Sequence, residues 1–169
     1  MAEFREVPVQ DLSFNPFTMI GKEWLLVTAG NAEKCNTMTA SWGGVGILWN
    51  KPVSTVYIRP TRYTLEFLDR EPFYSLSVFD ESRRGALNYC GSHSGRDGDK
   101  ISAAGLTPVF TERAPYFSEA KLVFVCRKLY KQQFRPDCFL DPAVEKANYP
   151  KKDYHNMFVG EIVKVLKKA

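Results

Sequence analysis

Val53-Ser54-Thr55-Val56-Tyr57-Ile58-Arg59-Pro60-Thr61-Arg62-Tyr63-Thr64 holds a strand, a break and a helix start in one run. Residues 53–58 are β-branched and alternating, which predicts a strand. Pro60 then forces Arg59 into extended backbone. Thr61 stands where a helix cap belongs, and opens a short helix over 62–69 with Leu65 and Leu68 on its inner face.

The same grammar repeats on both sides. Residues 24–30 read as a buried strand, 31–36 as a turn and 37–42 as a second strand. Gly43, Gly44 and Gly46 break regularity and expose backbone. Residues 73–79 form a strand with Phe73, Ser75, Ser77 and Phe79 on one face and Tyr74, Leu76 and Val78 on the other. Residues 83–89 read as a short helix, 90–98 as a loop and 100–104 as one further turn. A long strand follows at 122–134, a helix or loop at 141–148, and an alternating closing strand at 157–166. The stretch 134–150 reads as an irregular loop shaping a cleft. About six strands with few, short helices describe a mainly β barrel with short helical insertions. An α/β sheet would need regular alternation with longer helices.

The chain of 169 residues, 44% hydrophobic and 25% charged, fits one soluble domain over 1–169. Lys and Arg number 23 against 19 Asp and Glu, a net charge of +4. No long basic run or basic helical stripe accompanies that excess, so nucleic acid is not an expected partner. Lys164, Lys167 and Lys168 read as a solvated chain end. The start lacks an apolar signal core, and no apolar run is long enough for a bilayer. A cytoplasmic protein with reduced thiols and no membrane partner is the expectation. Cys35, Cys90, Cys126 and Cys138 form no CxxC pair, and His93 and His155 stand apart, so no metal site is expected. Cys35 and Cys90 read as small buried hydrophobes rather than redox thiols.

Two segments join turn-forming residues to fixed positive charge. One is Arg59 to Thr64; the other is Ser94-Gly95-Arg96-Asp97-Gly98-Asp99-Lys100. Glycines let backbone N–H groups approach a ligand, and Arg59, Arg62, Arg96 and Lys100 supply charge-assisted donors. Together they describe a pocket for a phosphorylated cofactor. A blander reading has Arg62 pairing with Glu66 one helical turn on, and Asp97 or Asp99 capping the turn at Lys100.

Asn36-Thr37-Met38-Thr39-Ala40-Ser41-Trp42-Gly43, Leu48-Trp49-Asn50-Lys51-Pro52, Tyr57 to Thr64, Ser94 to Lys100 and Asp153-Tyr154-His155 resemble, in that order, the motifs of the flavin reductase-like family, which includes the flavoredoxins. The resemblance covers roughly residues 15–165, and motifs in series are more specific than any one alone. It implies an FMN-binding split β-barrel working as a homodimer, with flavin near the subunit interface. It makes Asn36, Thr37, Met38, Thr39, Ala40, Ser41 and Trp42 the flavin-contact segment. Arg59, Thr61, Arg62 and Thr64 become phosphate contacts, as do Ser92, Ser94, Gly95, Arg96 and Lys100 in the second loop. His155 is the candidate catalytic residue, by stabilising reduced flavin or bonding substrate; alternatively it satisfies a backbone carbonyl. The implied activity is NAD(P)H-dependent flavin reduction, with electrons passing to free flavin, oxygen, a redox partner protein or another acceptor. An electron carrier without an NAD(P)H site stays open, as does a split barrel binding haem or another ligand with His155 as an axial group.

Overall fold

The structure, a computed structural model, describes residues 3–169. In chain order the elements are β1 (Phe4–Glu6), α1 (Pro16–Thr18), β2 (Leu25–Gly30), β3 (Cys35–Ala40), β4 (Gly43–Leu48), β5 (Lys51–Ile58), α2 (Thr64–Arg70), β6 (Phe73–Val78), α3 (Arg84–Ser92), α4 (Lys100–Ala103), β7 (Pro108–Val109), β8 (Tyr116–Phe117), β9 (Leu122–Gln133), α5 (Pro142–Asn148) and β10 (Asn156–Lys168).

All but β7 and β8 belong to one antiparallel sheet in the order β3-β2-β6-β9-β10-β5-β4, with β1 added to β10. Strands β3 and β4 are the two ends of that order. Yet only Ser41 and Trp42 separate them in sequence. Two linking residues reach no more than about 11 Å between Ala40 and Gly43. The sheet therefore curls until the end of β3 meets the start of β4, leaving a seam there where no ladder pairs the two strands.

One face of the curled sheet encloses a single core. Leu25, Val27 and Ala29 of β2 meet Tyr74, Leu76 and Val78 of β6, Phe124 and Cys126 of β9, and Phe158, Ile162 and Val165 of β10. The outer face of β2, β6 and β9 is covered as well. Leu26, Val123 and Val125 pack beneath Ala86, Leu87 and Cys90 of α3, Ile101 of α4 and Phe117 of β8. Three strands buried on both faces explain why residues 25–30 and 122–126 read as continuous apolar runs.

The structure changes several local readings. Gly43, Gly44 and Gly46 do not end regularity; they are the residues of β4, paired to Val56, Thr55 and Val53 of β5. Helix α2 starts at Thr64 with Tyr63 as its cap residue and no side-chain cap, so Thr61 is not the cap. Helix α3 runs on to Ser92, which takes Cys90 to Ser92 out of the loop. Residues 136–138 form a 3-10 turn, and Asp141 caps α5 through the Ala143 N–H. Strands β1, β7 and β8 lie outside the sequence reading because two or three residues carry no period of their own. Among the described residues no helix is long and apolar enough to cross a membrane.

At Gly43 the seam needs glycine. Its φ is +154°, and a Cβ there would stand 2.8 Å from the Thr55 carbonyl oxygen. Gly43→Ala is expected to cost about 1–3 kcal/mol by strain and crowding, read as a lower midpoint in urea denaturation.

Candidate functional site

The seam opens into two adjoining depressions. The first, about 250 Å³, is walled by Met38, Thr39, Ala40, Ser41 and Trp42 on one side and by Tyr57, Arg59, Arg62 and His155 on the other. The second, about 240 Å³, shares Thr39 and Ser41 and continues over Trp24, Leu87, Asn88, Gly91 and Ser92. Trp42 is 49% exposed and offers a flat aromatic face.

The cationic wall is held by its own bonds. Arg59, just past β5, donates from Nη1 to Asp153 at 2.8 Å and from Nη2 to the Asn148 carbonyl at 2.9 Å, and its guanidinium lies 5.1 Å from the Tyr149 ring centroid. Arg62 donates from Nη1 to the Gly91 carbonyl at 2.8 Å, which ties the approach to α2 onto α3. A guanidinium carries five N–H donors in a fixed fork. Both arginines keep donors beyond these bonds.

His155 is 6% exposed. Its ring sits 5.4 Å from Trp42 and 5.5 Å from Tyr149, between centroids. Nδ1 lies 2.7 Å from the Tyr149 hydroxyl. Burial, then the charges of Arg59 and Arg62, push the His155 pKa down to about 4 against the opposing pull of Asp153. The imidazole is neutral at pH 7. Burial raises the Tyr149 pKa, so the phenol keeps its proton. The phenol and the neutral imidazole share this hydrogen bond, and which group donates is set by which ring nitrogen carries the proton. Tyr149 and Tyr57 were not singled out as site residues from sequence. The only hint at Tyr149 is the density of rings before His155, at Phe139, Tyr149 and Tyr154.

Asn36 is buried and donates from Nδ2 to the Thr64 hydroxyl at 2.9 Å. Gly95 packs on it so closely that a Cβ would meet Asn36 Oδ1 at 2.1 Å. These three residues clamp β3, α2 and the glycine loop together, and Thr64 spends its hydroxyl there. Thr37 points away from the seam, onto Thr28 at 2.8 Å and the Val27 carbonyl. Thr61 is exposed and its carbonyl accepts from Arg96. Arg96 lies 4.6 Å from the Tyr63 ring centroid and is the ion-pair partner of Glu66, the role first considered for Arg62.

Lys100 is buried, and its ammonium donates to the Cys90 and His93 carbonyls at 3.1 and 2.9 Å, with burial lowering its pKa. Ser92 bonds the Asn88 carbonyl within its own helix, and Ser94 accepts from the Arg96 N–H. Asp99 caps α4 through the Ser102 N–H. The donors of the 92–100 loop are thus largely spent within the chain. Asn36, Gly95 and Lys100 line a separate pocket of about 370 Å³ with Lys34 and Tyr63. Burial pushes the Cys35 and Cys90 thiols up to about 11, so neither is a thiolate at neutral pH.

The flavin reductase like domain matches this chain over residues 19–168. The chain belongs to that family. Its fold matches a 1.50 Å structure of an FMN-binding domain of flavin reductases-like enzyme from Shewanella baltica, at 16% identity and TM-score 0.70, covering 99% of this chain and 78% of that one. Flavoredoxin from Methanosarcina acetivorans gives 23% identity and TM-score 0.69, covering 86% and 68%. An NADH:FAD oxidoreductase from Streptomyces globisporus, solved with NAD and FAD fragments, gives 18% and 0.64, covering 86% and 74%. At these identities the structures establish the fold, a mainly β split barrel. A comparison with curated proteins returns no match.

A histidine kept neutral in the fold protonates first in the unfolded chain as pH falls. The stability it contributes is complete above its ordinary pKa near 6.5 and is lost from there down to about 4. His155→Gln is expected to flatten that part of the stability curve relative to the parent protein. Tyr149→Phe removes a hydrogen-bond partner but keeps the ring that buries His155, so the His155 pKa measured by NMR titration is expected to stay well below its ordinary value; a return to near 6.5 would contradict burial as the main cause.

Proposed function

We propose that this chain is an FMN-binding, NAD(P)H-dependent flavin reductase whose flavin lies along the seam of the barrel. The observation that carries this reading is the convergence of Arg59, Arg62, Thr39, Ser41, Trp42 and a neutral His155 on one opening, in a chain of this family. The donor set suits a cofactor with one anionic end and one flat aromatic end. Arg59 and Arg62 hold the phosphate by charge-assisted bonds. Thr39 and Ser41 offer hydrogen bonds to the polar edge of a ring, and Trp42 packs on its face. When bound, FMN supplies acceptance of hydride and release of electrons singly or in pairs.

The side chains do the rest. His155 stands neutral at the wall of the opening, and its hydrogen bond to the Tyr149 hydroxyl holds the ring in place. Asp153 and the Asn148 carbonyl keep Arg59 from turning away. Thr37, Thr64, Asn36 and Gly95 act behind the wall by setting its shape. The reading takes the chain as one domain over residues 1–169 that works in the cytoplasm, and the unpaired cysteines agree with a reducing compartment.

The reading includes a homodimer. Strand β4 is an uncovered edge, and Ile47 is 74% and Trp49 55% exposed beside half-exposed Trp42. An apolar edge left open is an association site. A second copy of this chain laid on β4 would cover it and close the outer side of the seam. Ile47→Asp with Trp49→Ser is expected to convert a dimer to a monomer in light scattering. A parent protein that is monomeric at tens of micromolar would remove the dimer from the reading.

Absorbance titration with FMN tests the cofactor. Bound flavin shows bands near roughly 375 and 450 nm. Fast anaerobic bleaching by NADH or NADPH supports the reductase; bound flavin that bleaches only slowly leaves an electron carrier that hands its charge to a redox partner protein. Arg62→Ala is expected to weaken FMN binding about tenfold or more. No saturable FMN binding would overturn the reading.

A further inference from the structure

A cavity of about 700 Å³ lies away from the seam, at the end of the barrel under the strap that runs from β1 through α1. Its floor is a cross-strand row that the register defines. Arg5 of β1 faces Lys167 of β10, Lys167 faces Leu122 of β9, and Leu122 faces Val78 of β6. Directly opposed residues share one face of a sheet. Leu122 and Val78 belong to the inner core, as does Val165, two residues before Lys167 on the same face. The row is therefore the core-facing side of the sheet where it runs out past the barrel end. It is cationic for two strands and apolar for two, over about 14 Å at the usual strand spacing.

Like charges directly opposed across a ladder destabilise it. Among the described residues neither Arg5 nor Lys167 has a carboxylate within ion-pair distance. The carboxylates that line the cavity are Glu23, which already accepts from Lys121 at 3.0 Å, and Asp11 on the strap. Arg5 and Lys167 stand exposed at the mouth, Val78, Met19 and Leu122 close the floor, and partly exposed Leu12 and Phe14 of the strap supply the open apolar wall, so the cavity joins an unpaired cationic mouth to an apolar side.

We propose that this cavity binds an amphipathic monoanion of the medium-chain carboxylate class. The carboxylate sits between Arg5 and Lys167, and the hydrocarbon lies against Leu12 and Phe14 of the strap, above the closed floor of Leu122 and Val78. The site shares no lining residue with the seam, so the proposal stands or falls apart from the flavin assignment.

The test is an amide NMR titration of the full chain, with excess FMN present, using sodium decanoate below its micellar range. Saturable shifts are expected at Val7, Leu12 and Leu122. Neutral 1-decanol is expected to bind about tenfold more weakly, and Arg5→Gln with Lys167→Gln to weaken decanoate by about the same factor. Both residues are exposed, so the double variant is expected to keep or raise its melting temperature. Shifts confined to residues 38–42, absence of saturation, equal affinity for decanol, or an unchanged affinity in the double variant would each overturn the proposal. The decanol comparison needs no variant, so a folding defect leaves the test intact.

Discussion

The two-residue link from β3 to β4 is the constraint on which the rest depends. Ser41 and Trp42 must span the distance between the terminal strands of a seven-strand order. A flat or gently twisted sheet would hold those strands several spacings apart. The link admits only a curled sheet, and curling gathers one face around a single apolar core. It also stops short of closure, because no ladder joins β3 to β4. The fold thus keeps an opening at the end of β3, walled by residues 38–42 on one side and by Tyr57, Arg59, Arg62 and His155 on the other.

The site is built from what a seam leaves over. Edge strands have unpaired backbone, small side chains at residues 39–41 keep the opening clear, and the break after β5 delivers Arg59 and Arg62 to its far side. Each cation is fixed by a carbonyl or carboxylate that belongs to a neighbouring element. Burial with two adjacent positive charges keeps His155 neutral, while the Tyr149 hydroxyl holds its Nδ1. Charge and shape are consequences of packing around one opening.

The glycine loop shows what tertiary contacts add to charge read in one dimension. Ser94 to Lys100 has the composition of an anion cradle, yet Arg96 turns to Glu66 and Tyr63, and Lys100 caps two carbonyls near the end of α3. Its glycine earns a different place: Gly95 lets the loop lie against Asn36, which sets β3 against α2. The loop shapes the wall more than it faces the seam. At the chain end Lys167 is exposed, as a solvated tail residue is, and pairing also sets it opposite Arg5 at the mouth of a cavity of about 700 Å³.

What the sequence determined by itself was the mainly β class with its longer strands, the alternation along residues 73–79 and 157–166, the short helices and the motif order that resembles the family, since these depend on local sterics and on period. It also placed Met38 to Trp42, Arg59, Arg62 and His155 on the candidate list. Tertiary structure alone decided which of them share an opening. It turned the Gly43–Gly46 run into a strand by giving it β5 as a partner, and recruited β1, β7 and β8 by pairing. It set Thr37 and Thr64 inward and chose Glu66 for Arg96. Those outcomes depend on which groups meet across long stretches of chain, and local pattern carries no record of that.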